Sequence, residues 1–367
     1  MEKTEKNFRE EGRENIMAKE NQKLENDRPN NPETSALELF GTLGPACADI
    51  QILEKMIQNG MNGIRLNLSH GPLTAHEDWI DKLHQAMENT GKEILFLMDL
   101  KGRELRIKEL KPFELEKGQL ILFGKDIPVE TDLLVLPQTG DKILIDDGKI
   151  ELIVLKILAD GNRLCEVLRP AVLKANKSVK ITGKISPFSP LCPEDLTNLD
   201  QARKYRVNAI MVPFVQSRRD LEQVHHILEE KSLDLKIYAK IENKTGIDHL
   251  ESFMDLADVI VIARGDLGND VGFYDLPAVQ ARIEKICHQH QKDYMVVTQM
   301  LTSMIDSPIC TRAEANDVFY AIKNGASSIM LTNETAIGHY PELVIDTMKK
   351  ISDSALRYKA ENQSDNN

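Results

Sequence analysis

From residue 37 onward, short apolar runs alternate with longer amphipathic stretches. A run of about four to eight apolar residues bounded by turn residues predicts a buried strand, whereas apolar positions spaced three and four apart predict a helix with one buried face. By these criteria strands fall at 37–42, 62–66, 94–98, 208–212, 236–240, 258–262, 293–297 and 327–331. Helices are predicted over Ile50–Asn59, Leu73–Thr90, Asp220–Glu230, Leu276–Gln289, Arg312–Asn324 and Pro341–Ala355. Eight strand–helix units predict an α/β fold, a (β/α)8 TIM barrel, although no sequence repeat underlies the rhythm.

The third interval breaks that rhythm. Between Lys101 and about Pro187 the chain becomes a set of short strands, with Asp147-Gly148 and Asp160-Gly161 marking hairpin turns beside apolar runs such as Ile143-Leu144-Ile145. The expected organisation is a disordered polar tail over 1–36, a barrel built from 37–102 and 185–357, a small β-barrel-like domain inserted at 103–184, and a polar tail over 358–367. An insertion after a barrel strand lies on the face where active sites are built, so this one is expected to serve as a lid.

Composition narrows the classes of function. Lys and Arg number 46 against 58 Asp and Glu, a net charge of −12, which argues against a general nucleic-acid or anionic-membrane binder. No apolar run approaches a membrane span and the N-terminus has no signal-peptide core, so a cytoplasmic protein is expected. The five cysteines are scattered without Cys-x-x-Cys spacing, which points to free thiols rather than zinc or disulfides.

The stretch Ile237–Gly268 concentrates the chemistry. Lys240 and Glu242 stand two apart at the end of one strand and therefore share a side, and a second strand ends in Arg264-Gly265-Asp266. Two carboxylates at neighbouring strand ends make a site for a hard cation such as Mg²⁺, with Mn²⁺ left open by ligand type, and Lys240 can offset charge on an oxygen in transit. After the second strand, Arg65, Asn67 and Ser69 alternate with Ile64, Leu66 and Leu68. If the strand persists, a guanidinium suited to phosphate and two oxygens suited to a monovalent or hard cation face one way. Asp99 adds a carboxylate after the third strand, and Lys101, Arg103 and Arg106 form a basic loop able to concentrate a polyphosphate. Thr298, at the end of the seventh strand, is placed to relay a proton through water or simply to bond the backbone.

Gly41-Thr42-Leu43-Gly44-Pro45, Arg65 to Gly71, Asp99 to Arg106, Lys240-Ile241-Glu242-Asn243, Ala263 to Gly268, Thr298 to Leu301, Thr311 to Glu314 and Glu334-Thr335-Ala336 stand in the order found in pyruvate kinases. The resemblance spans about Leu37 to Ile351. It implies phosphoryl transfer from phosphoenolpyruvate to ADP, giving pyruvate and ATP, the last step of glycolysis. By the same resemblance Lys240 stabilises the phosphoryl group and the enolate, Glu242 and Asp266 hold Mg²⁺, and Asn67, Ser69, Asp99 and the main chain of Leu100 hold K⁺. Arg65, Gly265, Asp266 and Thr298 are implied to contact substrate, and Arg106, Lys177 and His70 nucleotide. Thr298 is also implicated in protonating the enolate, and Glu104 matches a position that accompanies potassium dependence.

The departures from that pattern are specific. Leu100 replaces a threonine, Arg103 a proline, Pro213 a serine, and Asn333 and Ile337 a glycine and a lysine. No regulatory domain follows the barrel within these 367 residues, so no sugar-phosphate activation through one is expected. The usual tetramer is in doubt, and a homodimer and a monomer are both open. The alternative to an active enzyme is a weak or inactive relative that binds metabolites as a regulator; a metal-dependent lyase or aldolase on an enolpyruvate-like substrate is a third reading.

Overall fold

The structure, a computed structural model, describes residues 37–102, 105–146, 148–182, 184 and 189–364, and Glu38–Asn367 forms one unit. Positions 1–36, Arg103, Glu104, Asp147, Gly183, 185–188 and 365–367 lie outside the described residues. The strands in chain order are β1 (Glu38–Thr42), β2 (Gly63–Asn67), β3 (Leu95–Asp99), β4 (Phe113–Glu114), β5 (Leu120–Phe123), β6 (Lys142–Ile145), β7 (Ile150–Ile157) and β8 (Arg163–Arg169). They continue with β9 (Val172–Leu173), β10 (Val179–Ile181), β11 (Ala209–Val212), β12 (Lys236–Ile241), β13 (Val259–Ala263), β14 (Asp293–Val297) and β15 (Ser328–Met330).

Eight of these close into a parallel barrel in the order β1-β15-β14-β13-β12-β11-β3-β2, within two residues at either end of the predicted strands. Its interior is filled by alternate residues of each strand, among them Phe40, Leu97, Met211, Tyr238, Val261 and Met330. The intervening residues, such as Ile64, Leu66, Ile210, Ile260 and Val296, are equally buried on the outer side. Burial on both faces explains why the strands read as continuous apolar runs instead of alternating ones.

The helices begin at identifiable caps. Asp49 accepts the N–H groups of Gln51 and Ile52 at the start of Ile50–Gln58, and Thr311 with Glu314 forms a capping box at the start of Arg312–Lys323. The last helix, predicted to end near Ala355, continues through Ser364. Polar composition removes the apolar face there without removing helix propensity, since Lys, Ala, Glu and Gln are good helix formers.

Between β3 and β11 the chain forms a five-stranded antiparallel sheet, β10-β6-β7-β8-β5, and a two-stranded one, β4-β9. This part has its own core, including Ile121, Phe123, Ile145, Leu152, Cys165 and Val167. The register pairs Ile145 with Ile150 around a turn that includes Gly148, and Ile157 with Arg163 around that at Asp160-Gly161. Where the chain leaves the barrel, the buried Asp195 carboxylate accepts the N–H groups of Lys101 and Gly102, each at 2.9 Å. Where the chain returns, the same carboxylate accepts that of Cys192 at 3.0 Å. Gly102 has φ +66°, and a Cβ there would lie 2.3 Å from Pro213 Cγ, so only glycine fits the exit. No helix among the described residues is long and apolar enough to cross a membrane.

Candidate active site

The apolar filling of the barrel stops at the carboxyl ends of β2, β3 and β12, where the inward positions become Arg65, Asp99 and Lys240. Arg65 donates from Nε and Nη2 to Asp99 Oδ2 at 2.8 and 2.5 Å. The Lys240 ammonium lies 3.1 Å from Asp99 Oδ1 and 3.3 Å from Glu242 Oε1. Glu242 also accepts the main-chain N–H of Phe214 at 2.8 Å. All of these charges are nearly removed from water: the side chains of Asp99 and Glu242 are 2% and 3% exposed, and that of Lys240 13%.

Such burial makes the protonation states interdependent. Burial alone would raise the Asp99 carboxyl, but Lys240 and Arg65 outweigh it and hold the group below the usual carboxylate range. Burial likewise opposes the Lys240 ammonium, yet Asp99 and Glu242 together keep its pKa above the ordinary value. Glu242 goes the other way: burial raises it, Lys240 pulls it down, and Asp266 pushes it up again. The result is a lysine whose charged form is favoured, set between one acid that favours ionisation and one that resists it.

Beside this cluster opens a cavity of about 830 Å³ between the barrel mouth and the inserted sheet. Glu242 and Asp266 line its barrel side, and Arg106, Lys177, Lys180 and Lys184 its sheet side. Arg106 and Lys177 are adjacent because Ile107 N–H bonds the Lys177 carbonyl at 3.0 Å. Several of the facing cations already hold acidic partners. Lys177 pairs with Asp146 at 2.8 Å, and Lys180 crosses from the sheet to Asp270 of the barrel. The bond from Lys177 holds the Asp146 carboxyl below its usual range.

Asn67 and Asp99 are register partners at the ends of β2 and β3. The predicted row of Arg65, Asn67 and Ser69 holds only as far as Asn67. The chain then turns into a 3-10 helix, Leu68–His70, in which Ser69 N–H bonds Asn67 Oδ1 at 3.2 Å and Ser69 is exposed. His70 is exposed in the same turn and does not line the cavity. Thr298 meets Gly265 across the ends of β14 and β13: a Cβ on Gly265 would lie 3.1 Å from Thr298 Cγ2. Leu100 is buried and donates its N–H to Met211. Pro213 lines the cavity, whereas Asn333 and the exposed Ile337 do not; Arg103 and Glu104 lie outside the described residues.

Two features bear on bound cations. Asp99 Oδ1 is buried and faces the Lys240 ammonium at 3.1 Å, so a monovalent cation beside Asn67 would share that oxygen with Lys240. No group of three or more His, Cys, Asp and Glu side chains among the described residues is arranged to hold a metal. Glu242 and Asp266 would therefore share a divalent ion with water and substrate oxygens, the habit of Mg²⁺.

Other motif residues are structural. Asn243 caps Lys244–Asp248 by accepting Gly246 N–H at 2.8 Å, and buried Glu334 accepts Leu301 N–H at 3.2 Å and Thr332 N–H at 2.7 Å. Thr335 Oγ1 accepts Thr42 N–H at 2.8 Å, tying the last loop to the first strand. The Phe214 N–H was not legible as a site contact, because a main-chain donor leaves no residue-type signature.

Residues 35–345 match the family described as pyruvate kinase, barrel domain. A pyruvate kinase of Staphylococcus epidermidis is 35% identical over 326 residues, and one of Staphylococcus saprophyticus 36% over 327; each alignment covers 86% of this chain and 56% of the relative. The crystal structure of a pyruvate kinase from Cryptosporidium parvum matches with a TM-score of 0.81 at 29% identity, covering 88% of this chain and 69% of that one. The chain thus spans little more than half the length of the staphylococcal proteins. Because the match takes in the barrel, the inserted sheet and the charged cluster at the mouth, the chain belongs to the pyruvate kinase family.

Proposed function

We propose that this chain catalyses phosphoryl transfer from phosphoenolpyruvate to ADP, giving pyruvate and ATP. The observation that carries the reading is Lys240, a buried ammonium fixed between Asp99 and Glu242 at the edge of a cavity with cations on its far wall. A loose phosphoryl transition state asks for positioned positive charge more than for a covalent partner. Arg106 and Lys177 would orient the diphosphate so that a terminal oxygen faces the phosphorus. That oxygen bonds to the phosphorus as the bond from phosphorus to the enolate oxygen breaks, while Lys240 and Arg65 stabilise the charge on the departing oxygen. The enolate takes a proton at its methylene carbon, relayed from water through Thr298. Glu242 and Asp266 would hold Mg²⁺ or Mn²⁺, which when bound neutralises phosphate charge, and Asn67, Ser69, Asp99 and the Leu100 carbonyl would hold K⁺.

A coupled assay with phosphoenolpyruvate, ADP, Mg²⁺ and K⁺ tests this. Pyruvate and ATP formed in equal amounts support it. Saturable binding of both ligands without turnover would instead indicate a metabolite-binding regulator, and carbon–carbon cleavage a lyase. A smaller effect follows from the resting Lys177–Asp146 pair. Asp146→Asn should release Lys177 for the diphosphate and lower KM for ADP about two- to fivefold, the scale of a partly exposed ion pair. Initial rates at low and high salt check it, since the gain should shrink as screening increases.

A further inference from the structure

Arg264 opens the helix after β13 and does not line the large cavity. Its Nε and Nη2 donate to the Thr298 carbonyl at 3.1 and 2.8 Å, and Nη2 also reaches the Gln299 carbonyl at 3.0 Å. The other edge of the guanidinium, Nη1, is held by the Asp317 carboxylate at 2.7–2.8 Å. The side chain is only 10% exposed. The two carbonyls belong to residues in the left-handed region, with φ +79° at Thr298 and +57° at Gln299. A β-branched residue is rarely found there, and such a conformation persists only where its surroundings over-determine it. Gly265 lies close to the Thr298 side chain as well, since a Cβ on it would come within 3.1 Å of Thr298 Cγ2.

We infer that Arg264 is a positioning residue: braced by Asp317, it holds the Thr298–Gln299 turn in its left-handed form and thereby aims the Thr298 hydroxyl at the reacting enolate. This rests on the reading proposed above and adds a residue that touches no substrate. A planar fork spans two carbonyls while keeping its carboxylate, whereas an ammonium is a single point charge. Without the fork the turn relaxes toward negative φ and the hydroxyl moves away. A displacement of about 1 Å costs on the order of 10²-fold in rate.

The test compares the full chain with Arg264→Lys, Thr298→Val and the double variant. Arg264→Lys should lower kcat about 10²-fold and change KM for ADP by less than about twofold, because the diphosphate is bound by Arg106 and Lys177. Exchange of the pyruvate methyl protons with D₂O, followed by NMR, should fall in parallel, since the same proton path runs in both directions. The double variant should be no slower than Thr298→Val alone; multiplicative losses would overturn the inference. A crystal structure of Arg264→Lys decides the clamp itself. Thr298 and Gln299 relaxed to negative φ support it, and both retained at positive φ overturn it, whether or not the unaltered chain turns over phosphoenolpyruvate. Absence of turnover in the unaltered chain would count against the functional reading instead.

Discussion

Lys240→Met should reduce kcat for phosphoenolpyruvate by about 10³–10⁵-fold, the range seen when a cation that neutralises a phosphoryl-transfer transition state is removed. Methionine keeps the length and flexibility of the stem, so the loss isolates the charge. The structural consequence is separate. Asp99 retains Arg65, with two bonds at 2.8 and 2.5 Å, but Glu242 retains only the Phe214 N–H and the unfavourable proximity of Asp266. Breaking a buried ion pair by removing one partner typically costs about 3–5 kcal/mol, so the variant should also melt earlier. Calorimetric titration with ADP separates the two effects. Nucleotide affinity within about threefold of the original, together with lost turnover, is the expected pattern because Arg106 and Lys177 lie on the other wall of the cavity. Turnover within tenfold of the unaltered protein would sink the assignment of Lys240.

How much of this was legible in the sequence depended on distance along the chain. The barrel strands were legible because β-branched runs such as Val259-Ile260-Val261-Ile262 are buried on both faces, and nothing but a strand of a covered parallel sheet accommodates them. Lys240 and Glu242 were legible because groups that meet at 3.3 Å stand only two positions apart in the chain. The contact of Lys240 with Asp99 joins different strands, and sequence alone placed Asp99 near the cation site without showing that it anchors both Arg65 and Lys240. The condition that the strand persist as far as Ser69 is not met, because Asn67 ends it by accepting Ser69 N–H, and alternation carries no signal of where a chain turns. The clamp at Thr298 was hidden for another reason. It joins a side chain to carbonyl groups 34 and 35 residues away, and carbonyls are common to every residue.

Glu242→Gln should produce opposite effects on stability and activity, and pH separates them. Burial raises the Glu242 carboxyl above its ordinary value in the ligand-free fold. A group raised in this way favours folding while it holds its proton. Its contribution is complete below the unfolded pKa of about 4.3 and is lost as pH rises through the folded value. At any pH above the folded value, ionised Glu242 therefore destabilises the metal-free protein, and there the neutral amide should raise Tm by roughly 2 °C. That gain should fade as acidification protonates the glutamate of the unaltered chain. The same substitution removes a ligand of the divalent ion, so Mg²⁺ affinity should drop by about 100-fold or more and turnover with it. In the unaltered chain, protons and metal compete for Glu242, so raising Mg²⁺ should move the acid limb of the activity profile to lower pH. Added Mg²⁺ should also raise the Tm of the unaltered chain but not that of the variant, reversing their order. Melting scans from pH 5 to 8 with and without Mg²⁺ would settle the point. A metal-free variant less stable at neutral pH, or a gain that grows on acidification, would mean that the carboxylate is held by its neighbours rather than reserved for a cation.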